Sequence, residues 1–154
     1  MADVYLSPSP AHFNVGYGNY GTEERRMNLI ADVVEYELTR HGVTTVRNDP
    51  DMSLTEVVAD ANAQNTKIYV AIQSQAADTL TRGAQIYYYK PGGNGERLAS
   101  DIFTYLSEII PTQDIGLSEG AAVYGGLGFY ELRRTKMPSV IVMPGYHDNP
   151  LDAD

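Results

Sequence analysis

The 154 residues carry 11 basic and 20 acidic side chains, a formal charge of −9. Such an excess repels nucleic-acid phosphates and anionic lipid, so neither is an expected partner. The absence of cysteine removes disulfides, thiolate metal sites and thiol nucleophiles, and an apolar content of 43% suits a chain that folds around one core rather than one that stays disordered.

The chain opens on Met1-Ala2-Asp3, which lacks a basic region, and the apolar stretch that follows ends at Pro8, so no leader peptide is expected. No stretch approaches the ~18 apolar residues of a membrane span. Val4–Leu6 reads as a first strand stopped by Ser7-Pro8-Ser9-Pro10. Residues 7–21 are rich in Gly, Pro, Asn and Tyr and show no periodicity, which marks a functional or surface loop. Thr22 is placed to cap a helix with Glu23 and Glu24 in its first turn, where the dipole favours anions. Met27, Ile30, Ala31, Val34 and Leu38 continue it at helical spacing until His41-Gly42.

Val43–Val46 reads as a second strand, and Asp49-Pro50-Asp51 as a turn before a helix opened by Ser53, with Leu54, Val57, Val58 and Ala61 on its apolar face. Ile68–Ile72 is a continuous apolar run, as in a strand covered on both faces. Gln85–Tyr89 is a further strand, and the turn Pro91–Gly95 leads into a helix bearing Leu98, Ile102, Tyr105, Leu106 and Ile109. The glycine-rich stretch Gly116–Gly128 reads as irregular, Phe129–Arg134 as a short ordered segment, and Pro138–Met143 as the last strand. Strands alternating with helices predict an α/β protein, a three-layer sandwich around a mixed, mostly parallel sheet, in a single domain over 1–154.

Three segments carry more than fold. These are Gly-Thr-Glu-Glu-Arg-Arg-Met-Asn-Leu-Ile-Ala-Asp (21–32), Ile-Tyr-Val-Ala-Ile-Gln-Ser-Gln-Ala (68–76) and Pro-Ser-Val-Ile-Val-Met-Pro-Gly-Tyr-His-Asp-Asn-Pro (138–150). With them the chain resembles, from Val4 to Ala153, the zinc-dependent N-acetylmuramoyl-L-alanine amidases of type 3, which cut peptidoglycan. The resemblance implies a cell-wall or extracellular context. It aligns Glu24 with a ligand Glu, Gln73 with a ligand His and Met143 with the catalytic Glu. A Gly-His pair that supplies another ligand in the family is replaced by Ser7-Pro8-Ser9-Pro10-Ala11-His12.

A zinc hydrolase needs about three protein ligands, an open position for water and a carboxylate to take that water's proton. An amide oxygen is a poor zinc ligand, and losing one of four ligands costs very roughly 3 kcal/mol of site affinity. A thioether at 143 cannot accept a proton, so general-base catalysis worth about 10²–10⁴-fold is lost with it. The first expectation is therefore an inactive amidase-fold protein without zinc, acting as a structural, self-assembling or cell-wall-binding subunit. In that reading Glu24, Gln73 and His147 line a vestigial cleft. The alternative is a zinc amidase with a rearranged site, its metal candidates His12 and Glu24, with Glu23 as a substitute base. Each residue also has a plainer reading: Glu24 as a first-turn acid, His12 as a solvated loop histidine, His147 as a support for its turn through Asp148 or Asn149. Neither Ser7 nor Ser9 has a base beside it in sequence that would make a nucleophile.

The resemblance implies that the last segment leads into a further helix, which the chain is expected to lack after Leu151-Asp152-Ala153-Asp154. Leaving about 300–400 Å² of apolar surface bare would cost roughly 8–10 kcal/mol at about 25 cal/mol per Å². That predicts a homo-oligomer or larger assembly through the C-terminal face. Twelve tyrosines, amphipathic and common at interfaces, point the same way.

Overall fold

The computed structural model describes residues 1–110 and 115–154. Six strands form one sheet: β1 (Val4–Pro8), β2 (Thr45–Arg47), β3 (Ile68–Ile72), β4 (Gln85–Tyr88), β5 (Gly116–Glu119) and β6 (Ser139–Met143). Their order is β2-β1-β3-β6-β4-β5, with β4 antiparallel to β6 and every other neighbouring pair parallel. The helices are α1 (Glu23–Arg40), α2 (Leu54–Gln64), α3 (Asn94–Ile109), α4 (Tyr130–Arg134) and the single turn α5 (Pro150–Ala153).

The central strands are apolar at successive positions because both faces are covered. Val4, Leu6, Val70, Ile72, Val140 and Val142 point to one side, where Met27 and Ala31 of α1 and Ala99 of α3 meet them. The alternate residues Tyr5, Tyr69, Ala71, Ile141 and Met143 point to the other, against Val57 and Ala61 of α2 and Leu132 of α4. Period-two alternation in a strand thus generates both outer layers of the sandwich. Register pairs Tyr5 with Tyr69 across β1 and β3, and their rings stack at 5.7 Å.

The helix ends are written in local chemistry. Thr22 accepts a bond from Arg25 N–H at 3.3 Å, and Glu23, Met27 and Ala31 form the buried stripe of α1. Gly42, at φ +75°, ends α1 in a Schellman motif: its own N–H donates to the Thr39 carbonyl and that of Val43 to Leu38. This terminator consumes Val43, so β2 begins at Thr45 rather than at Val43 and runs on to Arg47. A capping box opens α2: Ser53 Oγ accepts from Glu56 N–H while Glu56 accepts from Ser53 N–H at 2.7 Å. Ser53→Ala is expected to lower stability by about 1 kcal/mol in urea unfolding, with no change at the cleft.

Two further differences from the sequence reading have clear causes. β1 runs past Leu6 to Pro8, whose pairing with Ile72 lies on a strand end where a missing N–H is tolerated. Residues 116–128 are not wholly irregular: Gly116–Glu119 is the edge strand β5, held parallel to β4. Its sequence, Gly-Leu-Ser-Glu, carries no β-branched or aromatic residue to announce it, and the pairing is imposed by its neighbour. Among the described residues, no helix is long and apolar enough to cross a membrane.

Candidate functional site

The carboxyl ends of β1, β3 and β6 open side by side, the place where ligand sites form in open α/β sheets. A cleft of about 330 Å³ lies there, bordered by the loop Ser7–Ala11, by Asn14 and Glu23, by Asn48 after β2, by Gln73 and Ser74 after β3, and by Glu131 of α4.

Two buried carboxylates face this cleft. Glu23 accepts from Ser74 N–H at 3.0 Å and from Asn14 Nδ2 at 2.6 Å, which ties α1 to β3 and to the first loop. Glu131 accepts from Tyr69 Oη at 2.7 Å and from Gln73 Nε2 at 2.9 Å. Burial pushes the Glu131 carboxyl above the ordinary glutamate range, and the two donors counter that only in part. Burial and the nearby Glu131 together hold the Tyr69 phenol well above its usual range, so it remains a donor.

The residues singled out from sequence fall in different places. Gln73 lines the cleft, with its amide nitrogen committed to Glu131. Met143 is buried among Tyr5, Tyr69 and Ile141 and behaves as core. The α1 carboxylate in the cleft belongs to Glu23 rather than Glu24. The reason is helical phase: Glu23 shares the buried stripe with Met27 and Ala31, whereas the next residue is turned about 100° around the axis. His12 is exposed, its ring edge-on to Phe13. His147 is buried on the far side of Ser74, its Nδ1 2.8 Å from Ser74 Oγ. The plainer reading of His147 has it support its turn through Asp148 or Asn149; its ring is placed on Ser74 instead, and those two residues bond the backbone by themselves. Asp148 accepts from the N–H groups of Ala77 and Thr79, and Asn149 caps α5.

Sequence reasoning passed over Glu131 and Ser74. The five-residue α4 is too short to show periodicity, so nothing in its sequence marks Glu131 as buried. Ser74 and its histidine stand 73 residues apart, a distance across which no spacing rule operates.

The lining of the cleft supplies two carboxylates, amides and hydroxyls, but neither imidazole nor thiolate. Among the described residues, no three His, Cys, Asp or Glu side chains converge as a metal-ligand group. That donor set does not match a tetrahedral zinc site of the hydrolytic kind, which takes nitrogen or sulfur ligands and an open position for water.

The family model for N-acetylmuramoyl-L-alanine amidase matches residues 9–154. This chain belongs to that family. Similarity to LytC of Bacillus subtilis (strain 168), an N-acetylmuramoyl-L-alanine amidase, is 30% identity over 97% of this chain and 30% of LytC. The uncharacterised YqiI of the same organism is 29% identical over 98% of this chain and 73% of its own length. The chain therefore spans less than a third of LytC. The fold matches the catalytic domain of CwlV, an N-acetylmuramoyl-L-alanine amidase from Bacillus (Paenibacillus) polymyxa, with a TM-score of 0.83 over 97% of this chain and 83% of that one, at 21% identity. Amidase-family membership accounts for the α/β architecture.

Proposed function

We propose that this amidase-family chain engages peptidoglycan without hydrolysing it through zinc. The observation behind this reading is the Gln73–Glu131 bond, 2.9 Å long. Where the family resemblance places a ligand imidazole, an amide donates to a buried carboxylate; where it places the catalytic carboxylate, the Met143 thioether is packed into the core. A site so arranged grips no zinc and deprotonates no water. It keeps hydrogen-bonding groups and a concave shape suited to the amides and hydroxyls of a glycan-peptide polymer, and Phe13 and Tyr17 stand exposed on the loop beside it.

Co-sedimentation with purified sacculi tests the reading. The protein is expected in the pellet, and Ala11→Trp, which fills the cleft, should return most of it to the supernatant. No peptide should leave muropeptides when zinc is added. A protein that stays in the supernatant removes the binding function. Peptide release that a chelator abolishes removes the inertness and restores the alternative, a zinc amidase using His12, Glu24 and Glu23.

A second reading, self-association through the C-terminal face, is favoured by one observation. Leu29 of α1, Ile109 of α3 and Leu151 of α5 are 47%, 76% and 64% exposed and border a common apolar cavity. A dimer or larger species in light scattering at micromolar concentration is the expected outcome, and a monomer would dispose of it.

A further inference from the structure

Ser74 borders two cavities. One is the cleft described above; the other, of about 420 Å³, lies on the α1 side and is walled by Met27, Leu29, Ile30, Ile109 and Leu151. At the floor of this second cavity three side chains meet. Ser74 Oγ lies 2.8 Å from His147 Nδ1 and accepts a hydrogen bond from Tyr20 Oη at 3.2 Å. His147 and Tyr20 are buried, with ring centroids 6.0 Å apart, while Ser74 is half-buried.

The arrangement is fixed by backbone. His147 N–H donates to Gln75 C=O at 2.8 Å, and His147 C=O accepts from Tyr17 N–H at 2.7 Å, so the imidazole is held from both sides of its own residue. A Cβ at Gly16 would run into the Tyr20 ring and the His147 carbonyl; the bare glycine is what lets the phenol reach Ser74. Arg26 lies over the Tyr20 ring and donates to the Tyr20 carbonyl, which holds that residue in place.

We propose that Ser74 is a nucleophile and His147 its general base, acting on esters whose short apolar acyl chain fits the second cavity. Ser74 Oγ adds to the ester carbonyl carbon as its proton passes to His147 Nδ1. The carbonyl oxygen becomes an oxyanion and accepts the Tyr20 hydroxyl, a donor of the kind that stabilises such charge. Collapse breaks the ester C–O bond, and the alcohol leaves with the proton carried by His147. Water then adds to the acyl-serine, giving its proton to His147; the carboxylic acid departs and Ser74 is restored. Burial raises the Tyr20 phenol above its usual range, which keeps it protonated for this role. This chemistry uses neither zinc nor Glu131, and it goes beyond the cell-wall reading without depending on it.

The whole chain, held below micromolar concentration so that no second copy covers the cavity, is treated with an alkyl fluorophosphonate. It is then read by intact mass and peptide mapping. One adduct on Ser74 is expected, absent in Ser74→Ala and slowed about 10²–10³-fold in His147→Gln, as befits loss of a general base. Tyr20→Phe keeps the ring and the fold; it should slow hydrolysis of p-nitrophenyl butyrate at least tenfold, a loss that a purely structural contact would not cause. No adduct, an adduct elsewhere, or hydrolysis equal in the wild type and Ser74→Ala overturns the proposal. Should His147→Gln not fold, the Ser74→Ala and Tyr20→Phe comparisons decide it.

Discussion

Met143→Glu is expected to cost about 3–5 kcal/mol, because it places an unpaired carboxylate in the core cluster of Tyr5, Tyr69 and Ile141. In a chain of this length that corresponds to a fall in Tm of very roughly 10 °C at pH 8. The sign of its pH dependence follows from burial. The introduced carboxyl is pushed upward in the folded state, so the folded chain holds the extra proton to higher pH than the unfolded chain does, and the deficit shrinks on acidification. Met143→Leu, which conserves volume, should cost less than about 1.5 kcal/mol at either pH. Thermal unfolding of the three proteins at pH 8 and pH 5 is the measurement. Equal stability of wild type and Met143→Glu would mean that position 143 faces a solvated cleft, as a catalytic carboxylate requires, and would undercut the inert reading of the site.

Glu131 offers the second large effect, through a pair of substitutions. Glu131→Ala strands the buried Tyr69 hydroxyl and the Gln73 amide without their acceptor and leaves a void. Glu131→Gln removes only the charge: its carbonyl accepts from Tyr69, and a turned Gln73 amide accepts from its nitrogen. The alanine variant is therefore expected to be about 2–4 kcal/mol less stable than the glutamine variant, from one or two unsatisfied polar groups plus the cavity. The wild type should lie between them at neutral pH and approach the glutamine variant in acid. The carboxyl's folded-state pKa lies above its ordinary 4.5, so its full contribution is present below 4.5 and is lost as pH rises from there through the raised value. Glu131→Gln should flatten that part of the stability profile. A profile unchanged by the substitution would show that Glu131 is solvated rather than buried against Tyr69.

These two experiments probe one physical trade. A hydrolytic metal site requires charged and imidazole groups held apart in a polar cleft, ready to bind a cation. Here a thioether lies in the core at one of the corresponding positions, and the carboxylate that lines the cleft is bonded to neutral donors. Buried charge without a cationic partner is costly, and each neutral side chain placed there reduces that cost. Family membership preserves the scaffold, because the sheet, the capped helices and the terminators owe nothing to the metal.

What sequence alone determined are the features encoded by near neighbours. The apolar runs of β3 and β6, the Thr22 and Ser53 caps, the stripe Met27–Ala31 and the stop at His41-Gly42 are set within a few residues of one another. So, too, are the amide at 73 and the thioether at 143, which needed only the family resemblance to be noticed. Tertiary structure decided the rest. Which of two adjacent acids enters the cleft depends on the rotational phase of α1 against the sheet, and Gly116–Glu119 becomes a strand only because β4 offers it an edge. Glu131 reaches Gln73 across 58 residues and Tyr69 across 62, and His147 reaches Ser74 across 73. Such meetings are fixed by strand order and register, which bring the carboxyl ends of β1, β3 and β6 to one rim. No local preference records them, since each of these residues would be equally at ease in its own segment with its distant partner absent.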